Sequence, residues 1–289
     1  MFVFKAAVVG AGTMGGEIAQ VMASADVPVV LKDVDRKFID QGLEKARQVT
    51  EAQLGRLVKK EKLTQEQADA QLEEVVGRIQ GTTEYEGFGD VDFVVEAVPE
   101  KMEVKQAVFG ELDAVTPGHA ILASNTSSLP ISAIAAAARH PARVIGLHFF
   151  NPVPVMKLLE IVQGERTDPM VVTACRAVGG RLGKEVVVVR DAPGFATSRL
   201  GIALALEAMR MVEEGVASVE EIDRAIELGY GHPMGPLKLT DHVGLDVRLA
   251  IADHLLAELG ERFRPPQILR RMVRAGKLGK KTGEGFYKY

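Results

Sequence analysis

The 289-residue chain has no tryptophan, one cysteine and only two asparagines. A single thiol, Cys175, cannot close an intramolecular disulfide, which excludes a disulfide-stapled secreted scaffold. It falls in an apolar, helix-like stretch and reads as a small buried hydrophobe, in keeping with a reducing cytosol. No apolar run reaches the length that crosses a bilayer, so no membrane partner is expected. A net charge of −4 offers no basic footprint for nucleic acid or an anionic membrane surface. The opening run MFVFKAAVVG lacks the basic leader of a signal peptide and turns directly into a glycine-rich loop, so the expected location is cytoplasmic. The shortage of asparagine fits thermal adaptation, and a GC-rich genome explains it equally well. More useful is where the two asparagines sit: Asn125 and Asn151 both fall inside motifs described below. What remains, 47% hydrophobic and 26% charged residues, is ordinary globular composition, and the length accommodates two domains.

An apolar strand signal over residues 3–9 runs into Gly10-Ala11-Gly12-Thr13-Met14-Gly15, and a helical pattern starts after Gly16. This is G-x-G-x-x-G in strand–loop–helix context. The first glycine permits a tight turn, the second lets a pyrophosphate approach the backbone, and the third lets helix and strand pack closely. The helix start adds free N–H groups and a positive dipole end for the phosphates. A second strand signal ends at Asp33, about twenty residues on, where an acid can hydrogen-bond ribose hydroxyls and repel a 2′-phosphate. NAD, not NADP, is the cofactor expected. A ligand-free glycine turn would explain the glycines alone, but not the second strand and its acid.

Residues 36–76 are helical in pattern and highly charged, longer than a plain crossover needs, and they split at Thr64, which with Gln67 resembles a helix cap. A helical hairpin fits, with Lys59, Lys60 and Lys62 at its tip. That cluster is either a solvated charged end or a clamp for a substrate phosphate, and the spacing does not separate the two. Strand signals resume at 91–96 and 120–123, with a helix at about 102–115 between them. The second of these strands delivers Ser124-Asn125-Thr126-Ser127-Ser128 at its carboxyl end, where ligands of open parallel sheets bind. One of these residues would suffice to cap the helix near Pro130, so five small polar residues suggest a hydrogen-bonding rim.

Residues 142–162, ARVIGLHFFNPVPVMKLLEIV, read as a strand ending in His148, a proline-punctuated turn, and a second strand carrying Glu160. If the turn folds the second strand back beside the first, a carboxylate meets the imidazole. A histidine held that way is a general base with a fixed tautomer. A core histidine at a strand end accounts for the spacing equally well. A helix over 169–182 and a last strand over 185–189 complete the first domain.

The segment 190–195, RDAPGF, marks a domain boundary, giving domains 1–189 and 190–289. Beyond it the pattern is helical at 196–214, at 218–228 with a Ser218/Glu221 cap, at 237–259 and at 266–275, followed by a glycine-rich tail ending in aromatics that reads as a packed wrap. The expected fold is thus α/β, a Rossmann-type doubly wound, mainly parallel sheet with a helical-hairpin insertion, plus an all-α C-terminal domain.

The segments GAGTMGGEIA, VEAVPEKMEVK, SNTSSLP, GLHFFNPVPVMKLLEIV, DAPGF, GHPMGPLKLTDHVGLD and GEGFYKY, in this order, resemble the L-3-hydroxyacyl-CoA dehydrogenases, most nearly the short-chain bacterial type. The resemblance implies NAD-dependent, reversible oxidation of the 3-hydroxyl of a short-chain (S)-3-hydroxyacyl-CoA, such as 3-hydroxybutyryl-CoA to acetoacetyl-CoA. It implies His148 as base, Glu160 as its orienting acid and Ser127 on the substrate oxygen. Glu100, Lys105 and Asn125 line the nicotinamide side, the hairpin helps to hold coenzyme A, and the helical domain forms a homodimer interface. The chain departs from the family at Ser198, where members often carry an asparagine that holds substrate and histidine. A β-hydroxyacid dehydrogenase acting on a free acid would use a lysine base in the second domain, which offers no comparable lone lysine in an apolar helix. A non-catalytic NAD-binding relative, as λ-crystallin is, or an NAD-sensing regulator would not be expected to keep the His148–Glu160 pair and Ser127.

Overall fold

A computed structural model describes residues 3–289; Met1 and Phe2, which open the leader-like run weighed above, lie outside the described residues. The chain divides into two compact units, residues 1–191 and 192–289, two residues beyond the break read from the sequence.

In the first unit β1 (Ala6–Val9) leads into α1 (Thr13–Ser24) and β2 (Val29–Lys32). The hairpin α2 (Arg36–Lys59) and α3 (Gln65–Gly77) follows, then β3 (Ile79–Thr82) and β4 (Phe93–Glu96). The order continues through α4 (Met102–Val115), β5 (Ile121–Ser124), α5 (Ile131–Ala135), β6 (Val144–Phe149), β7 (Leu158–Gln163), α6 (Pro169–Arg181) and β8 (Glu185–Arg190). The strands form one sheet in the order β3-β2-β1-β4-β5-β6-β7-β8, parallel throughout except for the antiparallel β6–β7 pair. Central strands such as AAVV and FVVE are buried along their whole length, the reason they read as unbroken apolar runs rather than alternating ones. The predicted hairpin cap is present: the Thr64 side chain accepts from the Gln67 N–H while the Gln67 side chain accepts from the Thr64 N–H.

Two elements differ from the sequence reading. Strand β3 was not anticipated, because its IQGT carries one buried apolar residue and a glycine and so shows no strand pattern. Gly81 is required there: a Cβ would stand 2.3 Å from the Ile39 side chain of α2. In the second unit α7 (Thr197–Glu213) and α8 (Val219–Tyr230) match expectation, but the single helix read over 237–259 is two, α9 (Pro236–Val243) and α10 (Leu245–Leu259). They part at Gly244, whose φ of +104° lies where L-residues rarely go. Helix α11 (Gln267–Arg274) precedes a tail that packs as a wrap: the buried Asp241 carboxylate accepts from the Phe286 N–H (2.9 Å) and the Tyr287 N–H (2.8 Å).

Candidate functional site

Parallel strands β1, β4, β5 and β6 deliver their carboxyl ends to one edge of the sheet, and the residues singled out from the sequence of the first unit gather there, the hairpin lysines excepted. After β1 the chain turns at Gly10, with φ +98° and no space for a Cβ, which would stand 2.6 Å from the Ala97 carbonyl oxygen. A Cβ on Gly15 would lie 1.7 Å from the Gly10 carbonyl oxygen, so only glycine lets α1 close over the turn. Gly12, between them, has open space where its side chain would be, and no side chain caps the first amides of α1. Gly10, Gly12, Thr13, Met14 and Asp33 line a cavity of about 920 Å³. The Asp33 carboxylate is anchored at its rim by the Ala11 and Val34 N–H groups, both at 2.7 Å. Open backbone, uncapped helix amides and a fixed acid at the far rim fit a dinucleotide with free ribose hydroxyls.

At the next strand ends the antiparallel β6–β7 register pairs His148 directly with Glu160. His148 Nδ1 and Glu160 Oε2 are 2.8 Å apart, and the two residues are 5% and 0% exposed. The Phe150 ring lies 4.3 Å from the imidazole, centroid to centroid. Asn125 fixes the same strand end, its Oδ1 accepting from the Phe149 N–H at 3.0 Å. The turn 150–157, with its cis Asn151–Pro152 bond, is held from beneath: the Val153 N–H donates to Glu17 of α1 at 2.7 Å. Glu17 is itself buried and paired with Lys45 of α2 at 3.2 Å, so one carboxylate joins α1, the hairpin and the turn 150–157.

A second carboxylate cluster orders the serine-rich rim. Glu96, at the end of β4 and fully buried, accepts from the Lys105 ammonium (2.7 Å), the Val98 N–H (2.7 Å) and the Ser124 hydroxyl (2.6 Å). Lys105, 1% exposed, also reaches Glu100 Oε2 at 3.3 Å. Glu100 Oε1 accepts from the Thr126 hydroxyl (2.5 Å) and the Ser127 N–H (2.9 Å). Ser127 is therefore positioned through a Glu96–Lys105–Glu100 chain of charge. Glu17 and Glu96 were both missed from the sequence. Their signal was a lone acid in an otherwise apolar element, in EIAQVMASA and at the end of FVVE.

The remaining candidates lie elsewhere. Lys59 ends α2, Lys60 caps it and Lys62 follows in the tip of the hairpin, all exposed. Ser198 occupies the first turn of α7 in the second unit. Among the described residues no cluster suited to a metal ion is present.

Comparison with known proteins covers the whole chain. The family model for the 3-hydroxyacyl-CoA dehydrogenase NAD-binding domain matches residues 5–192, and that for the 3-hydroxyacyl-CoA dehydrogenase C-terminal domain matches residues 194–289. A probable 3-hydroxybutyryl-CoA dehydrogenase of Deinococcus radiodurans is 46% identical over 99% of this chain and 100% of its own. A 3-hydroxybutyryl-CoA dehydrogenase of Mycobacterium tuberculosis is 44% identical over 99% of this chain and 98% of its own. The crystal structure of (S)-3-hydroxybutyryl-CoA dehydrogenase from Ralstonia eutropha superposes with a TM-score of 0.92 at 39% identity, covering 100% of this chain and 99% of that one.

Proposed function

Because the chain belongs to the 3-hydroxyacyl-CoA dehydrogenase family, we propose that it oxidises the 3-hydroxyl of a short-chain (S)-3-hydroxyacyl-CoA reversibly, with NAD as cofactor and 3-hydroxybutyryl-CoA as the simplest substrate. The observation that carries this reading is the buried 2.8 Å His148–Glu160 pair, at the sheet edge where the glycine cradle also opens. When bound, NAD supplies the acceptor for the hydride that leaves C3. His148 takes the hydroxyl proton. Because Nδ1 faces Glu160, Nε2 is the atom that receives it, and the carboxylate both fixes the tautomer and offsets the imidazolium charge. Ser127 hydrogen-bonds the C3 oxygen, its backbone held by Glu100. Asn125, Glu100 and Lys105 shape the nicotinamide side, Asp33 takes the ribose hydroxyls, and Lys59, Lys60 and Lys62 meet the phosphates of coenzyme A. Ser198 assists at the substrate with a shorter reach than the asparagine common in the family.

The protein acts as a homodimer in the cytoplasm on this reading. Exposed Leu200, Leu228 and Tyr230 give the second unit the apolar surface a partner would cover, and no described helix is long and apolar enough to cross a membrane. The test is NADH oxidation with acetoacetyl-CoA, run beside NADPH and beside free acetoacetate. Turnover with NADH and the thioester is expected, and neither NADPH nor the free acid should replace them. Activity on free acetoacetate would move the assignment to the hydroxyacid dehydrogenases. Silence on both, with NAD still binding, would point first to a longer or carboxylated acyl-CoA and second to a chain that keeps the fold without the reaction.

A further inference from the structure

Two full charges grip a single residue of the turn that follows His148. Residues 152–156 make one hydrogen-bonded turn, in which the Val155 and Met156 N–H groups both donate to the Pro152 carbonyl at 3.0 Å. At its start the Val153 N–H donates to the buried Glu17 carboxylate at 2.7 Å. The Val153 carbonyl accepts from the Lys184 ammonium, which also donates to the Met156 carbonyl at 2.9 Å. An anion at the N–H side and a cation at the carbonyl side are the signs that the peptide dipoles favour, and charge-assisted bonds are about twice as strong as neutral ones. Among the described residues Lys184 pairs with no carboxylate, so these two carbonyls are what its charge is spent on. Its own backbone is fixed as well: the Lys184 N–H donates to the Gly179 carbonyl of α6 at 2.9 Å, and the Glu185 N–H to the Lys157 carbonyl at 2.8 Å.

What this clamp holds in place is Phe150. The β6–β7 pairing ends at Phe149 and Leu159, so Phe150 is the first residue beyond the ladder and its path is set by the turn. Its ring packs against the His148 imidazole, with centroids 4.3 Å apart and planes inclined at 46°. The single hydrogen bond from Nδ1 to Glu160 fixes the tautomer but leaves the imidazole free to tilt, and the ring face against it removes that freedom. A general base needs its accepting atom held on the line of proton transfer, and small misplacements cost rate steeply. We propose that Lys184 is a positioning residue for the reaction: with Glu17 it fixes the turn 150–157, so that Phe150 holds the imidazole plane in which Nε2 meets the substrate hydroxyl. This inference rests on the dehydrogenase reading above and adds to it a residue that acts through the turn and not on the reacting atoms.

The experiment follows NADH oxidation with acetoacetyl-CoA in Lys184→Met, Lys184→Arg, Phe150→Leu and the double variant Lys184→Met/Phe150→Leu. Lys184→Met should lower kcat by about three- to thirtyfold, a part of what a general base supplies, with KM for NADH unchanged. Lys184→Arg, whose guanidinium can donate to both carbonyls, should recover most of that loss. The isotope effect with deuterated NADH should rise in Lys184→Met, because hydride transfer slows relative to product release. Since Lys184 acts through Phe150, Phe150→Leu should lose a similar factor, and the double variant should lose no more than the larger single change. A lysine that merely caps the turn would lower the urea midpoint while kcat and the isotope effect stay at their parent values, and that result overturns the proposal. Multiplication of the two single losses in the double variant overturns it too. So does full kcat in Phe150→Leu, a measurement that stands even if Lys184→Met does not fold. An active parent with unchanged variants would sink this inference alone. A parent that turns over no thioester would sink the dehydrogenase reading, and this inference with it.

Discussion

The two units treat buried charge in opposite ways. In the first, Glu17 meets Lys45, Glu96 and Glu100 share Lys105, Asp113 holds Arg143, and His148 faces Glu160. Even the buried Lys32 ammonium lies 4.4 Å from the centre of the Tyr85 ring. In the second unit, the buried carboxylates Asp223 and Asp241 hold backbone amides and tyrosine hydroxyls, while Arg248 holds nothing described. Partnered charges in a low-dielectric setting fix geometry, because breaking one pair strands the other group. The first unit thus pairs its buried charges within the chain, and the second leaves the Arg248 Nε without a partner among the described residues.

The largest effect should come from breaking the pair nearest the chemistry. Replacing His148 with alanine should lower kcat by roughly 10²–10⁴-fold, the range typical of a lost general base. Glu160→Ala should approach that loss. Glu160→Gln should fall between, since an amide oxygen can still accept from Nδ1–H but cannot offset the imidazolium. Fluorescence titration with NADH should show near-unchanged cofactor affinity in all three, because the glycine cradle and Asp33 are untouched. Survival of full turnover in His148→Ala would remove the base from the mechanism.

Next in size is a pair remote from the site. The Arg143 guanidinium spans Asp113 Oδ1 (2.7 Å), the Asp113 carbonyl (3.0 Å) and the Ala120 carbonyl (3.3 Å), tying α4 to the start of β5 and β6. Arg143→Met leaves the buried Asp113 without its guanidinium partner, which should cost about 3–5 kcal/mol by urea denaturation. The same pair predicts an acid dependence. Burial works to raise the Asp113 pKa, but hydrogen bonds from Arg143, the Arg139 N–H and His140 outweigh it and hold the carboxyl below its usual value. A carboxyl lowered by folding contributes stability above its unfolded pKa of about 3.9 and loses it as the pH falls through the folded value. The unaltered protein should therefore shed this contribution only below about pH 4. Arg143→Met should shed less across that window, having less to lose.

How much of this was legible follows from the reach of each interaction. The glycine cradle, the Thr64 and Ser218 caps and the approach of Glu160 to His148 are local, set by spacing within about twenty residues, and all could be read along the chain. Glu17 to Val153 spans 136 residues, and Glu96 to Ser124 spans 28 with a helix between them. Such partners meet only once strand order is known, so the acids were visible and their roles were not. Strand β3 was hidden for a related reason: an edge strand whose glycine is demanded by Ile39 of α2 has little apolar pattern of its own. Arg248 was hidden most completely. Nothing in GLDVRLAIAD distinguishes it from a solvated arginine on a helix face; only the packing of α10 on α7 buries it.

The smallest predicted effect has the opposite sign and separates the two kinds of buried charge most sharply. Arg143→Met strands a carboxylate, whereas Arg248→Met strands nothing and relieves a desolvated cation. In the absence of ligand the second change should leave stability unaltered or raise it by about 1–2 kcal/mol, as replacements of costly buried charge by apolar side chains of similar volume often do. Methionine fits an irregular gap beside Gly201 without a polar atom to satisfy. Urea midpoints of the two variants should therefore move in opposite directions from the parent, with slopes unchanged. Loss of more than about 3 kcal/mol in Arg248→Met would mean that its guanidinium has an anion even in the free protein. The contrast between paired buried charge in the first unit and unpaired buried charge in the second would then fail.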